Sequence, residues 1–182
     1  MGRVEDYVAL LHDTLDWKAL VRAQSGLPGP RGNLELLQAV VLTVPPAELS
    51  VVARLDPEQA PTNTPEELLV CCGVVGLYRL IAQGESEHWH TLASLACDPR
   101  WRVREAVAMA LQHLGRQDWQ GLMQGLAPWI AGDARQRRAV VAGLCEPDLL
   151  RDPAQARSTL AILDRITHSL LAEPDPRDEA VR

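Results

Sequence analysis

The amino-acid sequence predicts an all-α domain, a short right-handed α-α superhelix of stacked helix pairs. The apolar residues are mainly Leu, Ala and Val, with no Phe and 2 Tyr, a composition that favours helices over strands. Cap residues followed by proline mark several helix starts. In addition, one helix pair recurs after roughly 34 residues.

The length of the chain fits a single domain. A chain of 182 residues, 47% of them hydrophobic, buries roughly 70% of the surface that its unfolded form exposes. Its core therefore needs neither a metal nor a disulfide. We expect one helical-repeat domain over residues 1–172 and a disordered tail over 173–182, because that stretch is polar and rich in proline.

Helix starts are marked by local side-chain chemistry. Thr64 supplies a cap oxygen, Pro65 suits the first helical position, and Glu67 is placed to reach back to the backbone N–H of the cap. An aspartate fills the cap position before four later helices, at Asp98, Asp118, Asp133 and Asp152. With the apolar periodicity, these signals predict helices over residues 4–23, 33–43, 46–55, 64–83, 87–97, 99–114, 119–131, 134–145 and 153–172.

The helix over 64–83 is apolar on almost every side, so we expect it to be the most buried element. Gly73 and Gly76 each cost about 1 kcal/mol of helix propensity relative to Ala. Close helix–helix packing at this point is favoured over a ligand contact. The turn-rich stretch 25–32 predicts a rigid loop before the second helix.

The sequence carries no signal for a membrane or for secretion. The longest apolar run, 68–82, contains Arg79 and is shorter than the roughly 20 residues that a membrane span needs. The charged N-terminal stretch lacks the apolar core of a signal peptide. The four cysteines fit free thiols in apolar helices. These features predict a cytoplasmic protein.

Internal repetition is the most specific pattern in the chain. Residues 104–111 align with residues 137–144, and Asp98 aligns with Asp133. The segment 98–111 closely resembles the second helix of a HEAT repeat, an α-solenoid unit whose apolar surface is covered by its neighbours. In such repeats the turn aspartate and the arginine of the following helix form a structural ladder. The resemblance therefore implies the ladder residues Asp98, Arg104, Asp133 and Arg137.

Among HEAT-like proteins, the chain is similar to the bacterial alkylpurine DNA glycosylases. The similarity rests on the arginine-bearing repeats and on Trp101, Trp119 and Trp129 among them. It implies a concave face that holds damaged DNA between arginines and tryptophans. The catalytic aspartate of that family is not assigned to any residue of this chain, which is also shorter and more acidic than the role suggests.

Four arginines are not required by the ladder and are candidates for binding, namely Arg100, Arg102, Arg135 and Arg138. Guanidinium groups bind phosphate or carboxylate oxygens in pairs. The competing interpretation is a solvated, salt-bridged face, because residues 98–166 carry 10 arginines and 8 acidic residues. The net charge of −6 argues against a general nucleic-acid coat protein.

Trp101 lies opposite the apolar stripe of its helix. There it could stack on a base or anchor a partner protein, or it could pack beneath the next helix pair. Both interpretations stay open at this point.

No catalytic motif is present in the sequence. It has no Gly-x-Ser-x-Gly and no glycine-rich phosphate loop. The side chains of His88 and His90 would point away from each other on a helix, which disfavours a shared metal ion. We expect no cofactor and no metal. The sequence favours a non-enzymatic module that binds a protein partner on its concave face, and DNA binding of the alkylation-repair type is the alternative.

Overall fold

The computed structural model describes residues 3–170, and within that range every regular element is helical. The all-α prediction is confirmed. The expected tail over 173–182 lies outside the described residues. The helices are α1 Val4–His12, α2 Trp17–Gln24, α3 Leu34–Thr43, α4 Pro46–Val52, α5 Pro65–Ala82, α6 His88–Leu95, α7 Trp101–Gln117, α8 Trp119–Ile130, α9 Ala134–Leu144 and α10 Pro153–Leu170, with a 3-10 turn at Leu149–Arg151.

The predicted helix over 4–23 is in fact two helices, α1 and α2. The Oδ1 of Asp16 accepts a hydrogen bond from the Ala19 N–H at 3.0 Å and starts α2. Such a side-chain cap competes with continuation of the preceding helix. Leu15, in the break, is completely exposed, so its apolar character gives a misleading signal of helix continuity.

Four of the predicted caps do what their sequence suggests, at Thr64, Asp118, Asp133 and Asp152. Asp118 accepts from the Gly121 N–H at 3.0 Å, and Asp133 accepts from the Gln136 N–H at 2.9 Å. Glu67 differs from the prediction, because its carboxylate accepts from the Asn63 N–H at 2.8 Å rather than from the cap residue. Asp98 also differs, since it accepts from the Arg100 N–H at 2.8 Å and α7 begins only at Trp101.

The helix α5 lies at the centre of the molecule. It packs most extensively on α4 and α7, and it also contacts α2, α3 and α6. Nearly all its side chains between Glu67 and Tyr78 are buried, which confirms the sequence prediction. The helices α3, α5, α7 and α9 form a layer in which each packs against the next, while α4, α6 and α8 pack on members of that layer.

Close approach of α4 to α5 explains the two glycines of α5. A Cβ atom on Gly73 would lie 2.5 Å from the backbone nitrogen of Ala53 and 2.6 Å from the carbonyl oxygen of Leu49. One on Gly76 would overlap the side chain of Leu49. The glycines therefore serve helix packing, as predicted.

Within the described range, no helix combines the length and the apolar character required to cross a membrane.

Candidate functional site

A groove of about 360 Å³ opens on the layer formed by α3, α5 and α7. One wall is α3 with the loop residues 30–32 before it, and the other wall is α7. Buried residues of α5 contribute the surface between the two walls. The apolar lining includes Leu34, Leu37, Leu68, Trp101, Ala108 and Met109. The groove can accept an apolar group of limited size.

Trp101 is the first residue of α7 and lies on the rim of the groove. Its side chain is 50% exposed, whereas Val103 and Val107 on the other side of the helix are buried. The guanidinium of Arg102 lies over its ring, 4.7 Å from the centroid. Trp101 therefore lies at the surface rather than beneath a neighbouring helix pair. The other tryptophans are buried or partly buried against the core.

Hydrogen bonds join four residues in a closed polar ring, namely Gly29, Asn63, Glu67 and Arg102. The Nη1 of Arg102 donates to Glu67 Oε2 at 3.2 Å, and its Nη2 donates to the Gly29 carbonyl at 3.0 Å. The Asn63 N–H donates to the same Glu67 oxygen, and Asn63 Oδ1 accepts from the Gly29 N–H at 3.0 Å. The ring ties the loop wall of the groove to α5 and α7.

The sequence placed Glu67 in the helix cap and did not indicate its part in this ring, nor that of Gly29 and Asn63. Glu67 is fully buried, and its ion pair with Arg102 joins residues 35 positions apart. A buried carboxylate requires such a partner because desolvation of an unpaired charge is costly. An acidic residue facing inward on an otherwise apolar helix is the only signal that could have found it.

The expectation that Arg100 is available to a partner is wrong. Its side chain is 2% exposed, and it pairs with Asp98 through Nε at 2.9 Å and Nη2 at 2.7 Å. It also donates to the carbonyl oxygens of Leu55, Asp56 and Ala60. Burial acts to lower the pKa of the guanidinium, but the hydrogen bond and charge of Asp98 outweigh it and raise that pKa. Arg100 is thus a structural residue.

The first step of the predicted ladder surrounds Asp98. The carboxylate of Asp98 is engaged at both oxygens by Arg100, while Arg104 donates to the backbone oxygens of Asp98 at 2.7 Å and Pro99 at 3.0 Å. Both arginines therefore stabilise the turn before α7. Arg100, two residues after Asp98, binds its carboxylate in a forked geometry.

The second step of the ladder surrounds Asp133. Burial acts to raise the pKa of this carboxyl group, but the Gln136 N–H, the Cys97 thiol and the charge of Arg137 lower it below its ordinary value. Cys97 Sγ donates to Asp133 at 3.2 Å. Arg137 is buried. The residues of this step are therefore engaged within the fold.

The two candidate arginines of α9 also have internal partners. Arg135 donates to the Cys97 carbonyl at 3.0 Å. Arg138 forms an ion pair with Glu105 at 2.7 Å, with side chains 45% and 41% exposed. Of the predicted binding residues, the structure brings Trp101 and Arg102 to the groove and places the Arg138–Glu105 pair beside it. Arg100 and Arg135 lie elsewhere.

Cys71 is the one thiol that lines the groove among the described residues. Burial, followed by the negative charge of Glu67, raises its pKa to about 12. The thiol is therefore protonated at neutral pH. A nucleophilic cysteine would instead need to be a thiolate. This environment suits binding rather than covalent chemistry.

A second cluster contains Glu85, Glu87 and His88, whose potential metal-ligand atoms lie within 4.8 Å of one another. His88 is buried, and its Nε2 faces Glu85 at 3.3 Å. Its Nδ1 is buried without a hydrogen-bond partner. Coordination of a metal by Nε2 would place a proton on Nδ1 with no acceptor, which is unfavourable. We therefore do not assign a metal site to this cluster.

Comparison with known proteins adds no family assignment. No protein-family model matches the chain, and no curated protein or solved structure is significantly similar to it.

Proposed function

We propose that this protein is a non-enzymatic interaction module, a short right-handed superhelix of HEAT-type helix pairs that binds a protein partner on the layer of α3, α5 and α7. The superhelix is supported by the succession of contacts along α3, α5, α7 and α9. It is also supported by the repeat of residues 104–111 at 137–144. Layers of this kind offer an extended binding surface.

The groove beside Trp101 is the observation that carries the proposal. A half-exposed tryptophan next to an apolar groove of about 360 Å³ has the character of an interface hot spot, where an aromatic anchor and a partner side chain exclude water. We expect the partner to insert a large apolar side chain, presented by an amphipathic helix.

The state of the acidic and thiol groups near the groove supports binding without catalysis. Glu67 is held in the polar ring, Glu105 is paired with Arg138, and Cys71 is protonated at neutral pH because of its raised pKa. The four free thiols fit a reducing compartment, so we look for the partner in the cytoplasm.

Binding of DNA in the manner of the alkylation-repair proteins is the alternative. In that case Arg102 and Arg138 would exchange their carboxylate partners, Glu67 and Glu105, for phosphates. Giving up an established ion pair offsets much of the gain from a new one. The net charge of −6 adds long-range repulsion, so this alternative has less support.

The proposal is tested by affinity capture with Trp101→Ala and the matched control Val51→Ala. Val51 is 62% exposed on α4 and does not line the groove. Loss of a hot-spot tryptophan costs about 2 kcal/mol or more, roughly a thirty-fold loss of affinity. We expect quantitative mass spectrometry to find a stoichiometric partner with the unaltered chain and with Val51→Ala, and not with Trp101→Ala. Equal capture by both variants would overturn the proposal.

The alternative is tested on normal and alkylated duplex DNA by fluorescence anisotropy. DNA binding predicts an affinity that falls steeply with salt and weakens in Arg138→Ala. Release of 3- or 7-alkylated purines would establish catalysis. Absence of binding at low salt would exclude the alternative.

A further inference from the structure

Among the described residues, three arginines lie around the groove, and they differ in the hydrogen-bond and ion-pair partners that they already have. Arg102 is engaged by Glu67 and by the Gly29 carbonyl, and Arg138 is engaged by Glu105. Arg31 is exposed and lines the groove. Within residues 3–170 no hydrogen bond or ion pair to the Arg31 side chain is present. It is thus the cation of the groove that can bind an incoming anion without giving up a partner.

The loop that carries Arg31 is held in place on several sides. Gly29 is bound through both its N–H and its carbonyl group by the polar ring. The Asn33 N–H donates to the Ser25 carbonyl at 2.8 Å, and Ser25 Oγ accepts from the Leu27 N–H at 3.1 Å. The Arg31 backbone is therefore fixed at the rim, which limits the entropy lost on binding.

We propose that the partner segment in the groove carries a carboxylate next to its apolar side chain, and that Arg31 binds this carboxylate. This inference rests on the function proposed above and names the chemistry of the partner, an acidic amphipathic helix of a protein. Apolar lining from Leu34, Leu37 and Met109 receives the apolar side chain. Arg31 then distinguishes an acidic segment from a neutral one of the same shape.

Charge complementarity supports an acidic occupant over a basic one. Among the described residues, the groove lining contains the cations Arg31 and Arg102 and the single acid Glu105, and Arg138 already neutralises that acid. The buried Glu67 balances Arg102. One positive charge is left over at the rim, in a chain whose net charge is −6. At physiological salt, screening limits charge interactions to about 8 Å. The positive charge at the rim therefore governs recognition of the partner segment, rather than the net negative charge of the chain.

A matched pair of probes tests the chemistry on the full-length chain. We use 4-phenylbutyrate and 4-phenylbutyramide, which share an apolar body and differ in charge, and follow the Trp101 indole N–H by NMR. The resonance is assigned from its loss in Trp101→Phe. An exposed ion pair predicts that the carboxylate binds about two- to five-fold more tightly than the amide. In Arg31→Gln this ratio should fall to about one, and in the control Arg54→Gln, an exposed arginine away from the groove, it should not change.

The outcomes separate this inference from the proposed function. If both probes bind equally to the unaltered chain, or if Arg31→Gln keeps the preference, the role of Arg31 is wrong and the groove still accepts an apolar group. If neither probe shifts Trp101, the groove does not bind apolar groups and the proposed function fails with the inference.

Charge reversal tests whether the acidic occupant belongs to a protein. Arg31→Glu and Arg54→Glu make the same change in net charge, but only Arg31→Glu should reduce capture of the partner, by five-fold or more. Suppose that capture is unchanged with Arg31→Glu, while the unaltered chain prefers the carboxylate probe and Arg31→Gln does not. The groove would then be assigned to a small carboxylate ligand, and the protein partner would be overturned.

Discussion

Arginine side chains join the ends of helices in this protein. Arg79 donates to the carbonyl oxygens of Val41 at 2.9 Å and Val44 at 2.7 Å, at the end of α3. Arg100 donates to carbonyl oxygens of the turn segment 55–60, which follows α4, and Arg135 donates to that of Cys97, which follows α6. The last carbonyl groups of a helix lack partners within it. A planar guanidinium with five donors can reach several of them at once, which a lysine ammonium cannot do in the same geometry. This use gives a structural reason for arginine rather than lysine at these three positions.

Replacement of Arg100 by alanine is expected to destabilise the fold severely. It would leave the Asp98 carboxylate, whose side chain is 8% exposed, without the guanidinium that binds both its oxygens. It would also remove one donor from each of three carbonyl groups. Removing one partner of a buried ion pair costs about 3–5 kcal/mol. The free energy of unfolding measured in urea should fall by that amount, or the variant should fail to fold.

The control for Arg100 is Arg138→Ala, which breaks the exposed pair with Glu105. Exposed pairs contribute about 0–1 kcal/mol, so this variant should unfold at nearly the same urea concentration as the unaltered chain. Similar losses in the two variants would contradict the structural role of Arg100.

Among the single helices, α5 is apolar on almost every side, and its packing accounts for that composition. Its neighbours cover it on several sides, and the two glycines admit α4 to within contact of its backbone. The cost of glycine in helix propensity is about 1 kcal/mol each. The close packing offsets it by burying both helix surfaces without a gap.

Gly73→Ala is expected to destabilise the protein although alanine favours a helix. The new Cβ would meet backbone atoms of Ala53 and Leu49, so α4 itself would have to move, and overpacking typically costs about 1–3 kcal/mol. Thermal denaturation should show a lower melting temperature. Gly76→Ala meets the side chain of Leu49, which can rotate, so its loss should be smaller. A more stable Gly73→Ala variant would contradict the observed contact between α4 and α5.

For the whole molecule, packing is densest around the central helix α5 and lower at α10, the last of the described helices. The central helix α5 contacts five other helices, whereas α10 packs on α8, α9 and the 3-10 turn through few residues. Local opening requires loss of few contacts at such an end and of many at the centre. Local stability is therefore expected to decrease in a gradient from α5 to α10.

Native-state hydrogen exchange should reveal this gradient. Amides in the buried part of α5 are expected to exchange only through global unfolding, with a free energy equal to that measured in urea. Amides of α10 should exchange through local opening at a lower free energy. Equal protection in α5 and α10 would show that the molecule opens as one unit and that the contact density does not control local stability.

The sequence by itself determined the features that depend on neighbouring residues. The helical content, the caps at Asp118 and Asp133 and the burial of α5 follow from chemistry within a few positions of the chain. The break between α1 and α2 depends on equally local chemistry, the Asp16 cap, which the apolar pattern concealed.

Only the tertiary structure decided which arginines are available to a partner. Arg100 and Arg102 lie beside Trp101 in sequence, yet Arg100 is buried against carbonyl groups 40–45 positions away. Arg102 is bound to Glu67 and to a loop 73 positions away. Arg31, which had no motif around it, comes to the rim of the groove. The physical reason is that a guanidinium bonds whichever oxygen the fold brings within about 3 Å, and distant segments supply those oxygens here.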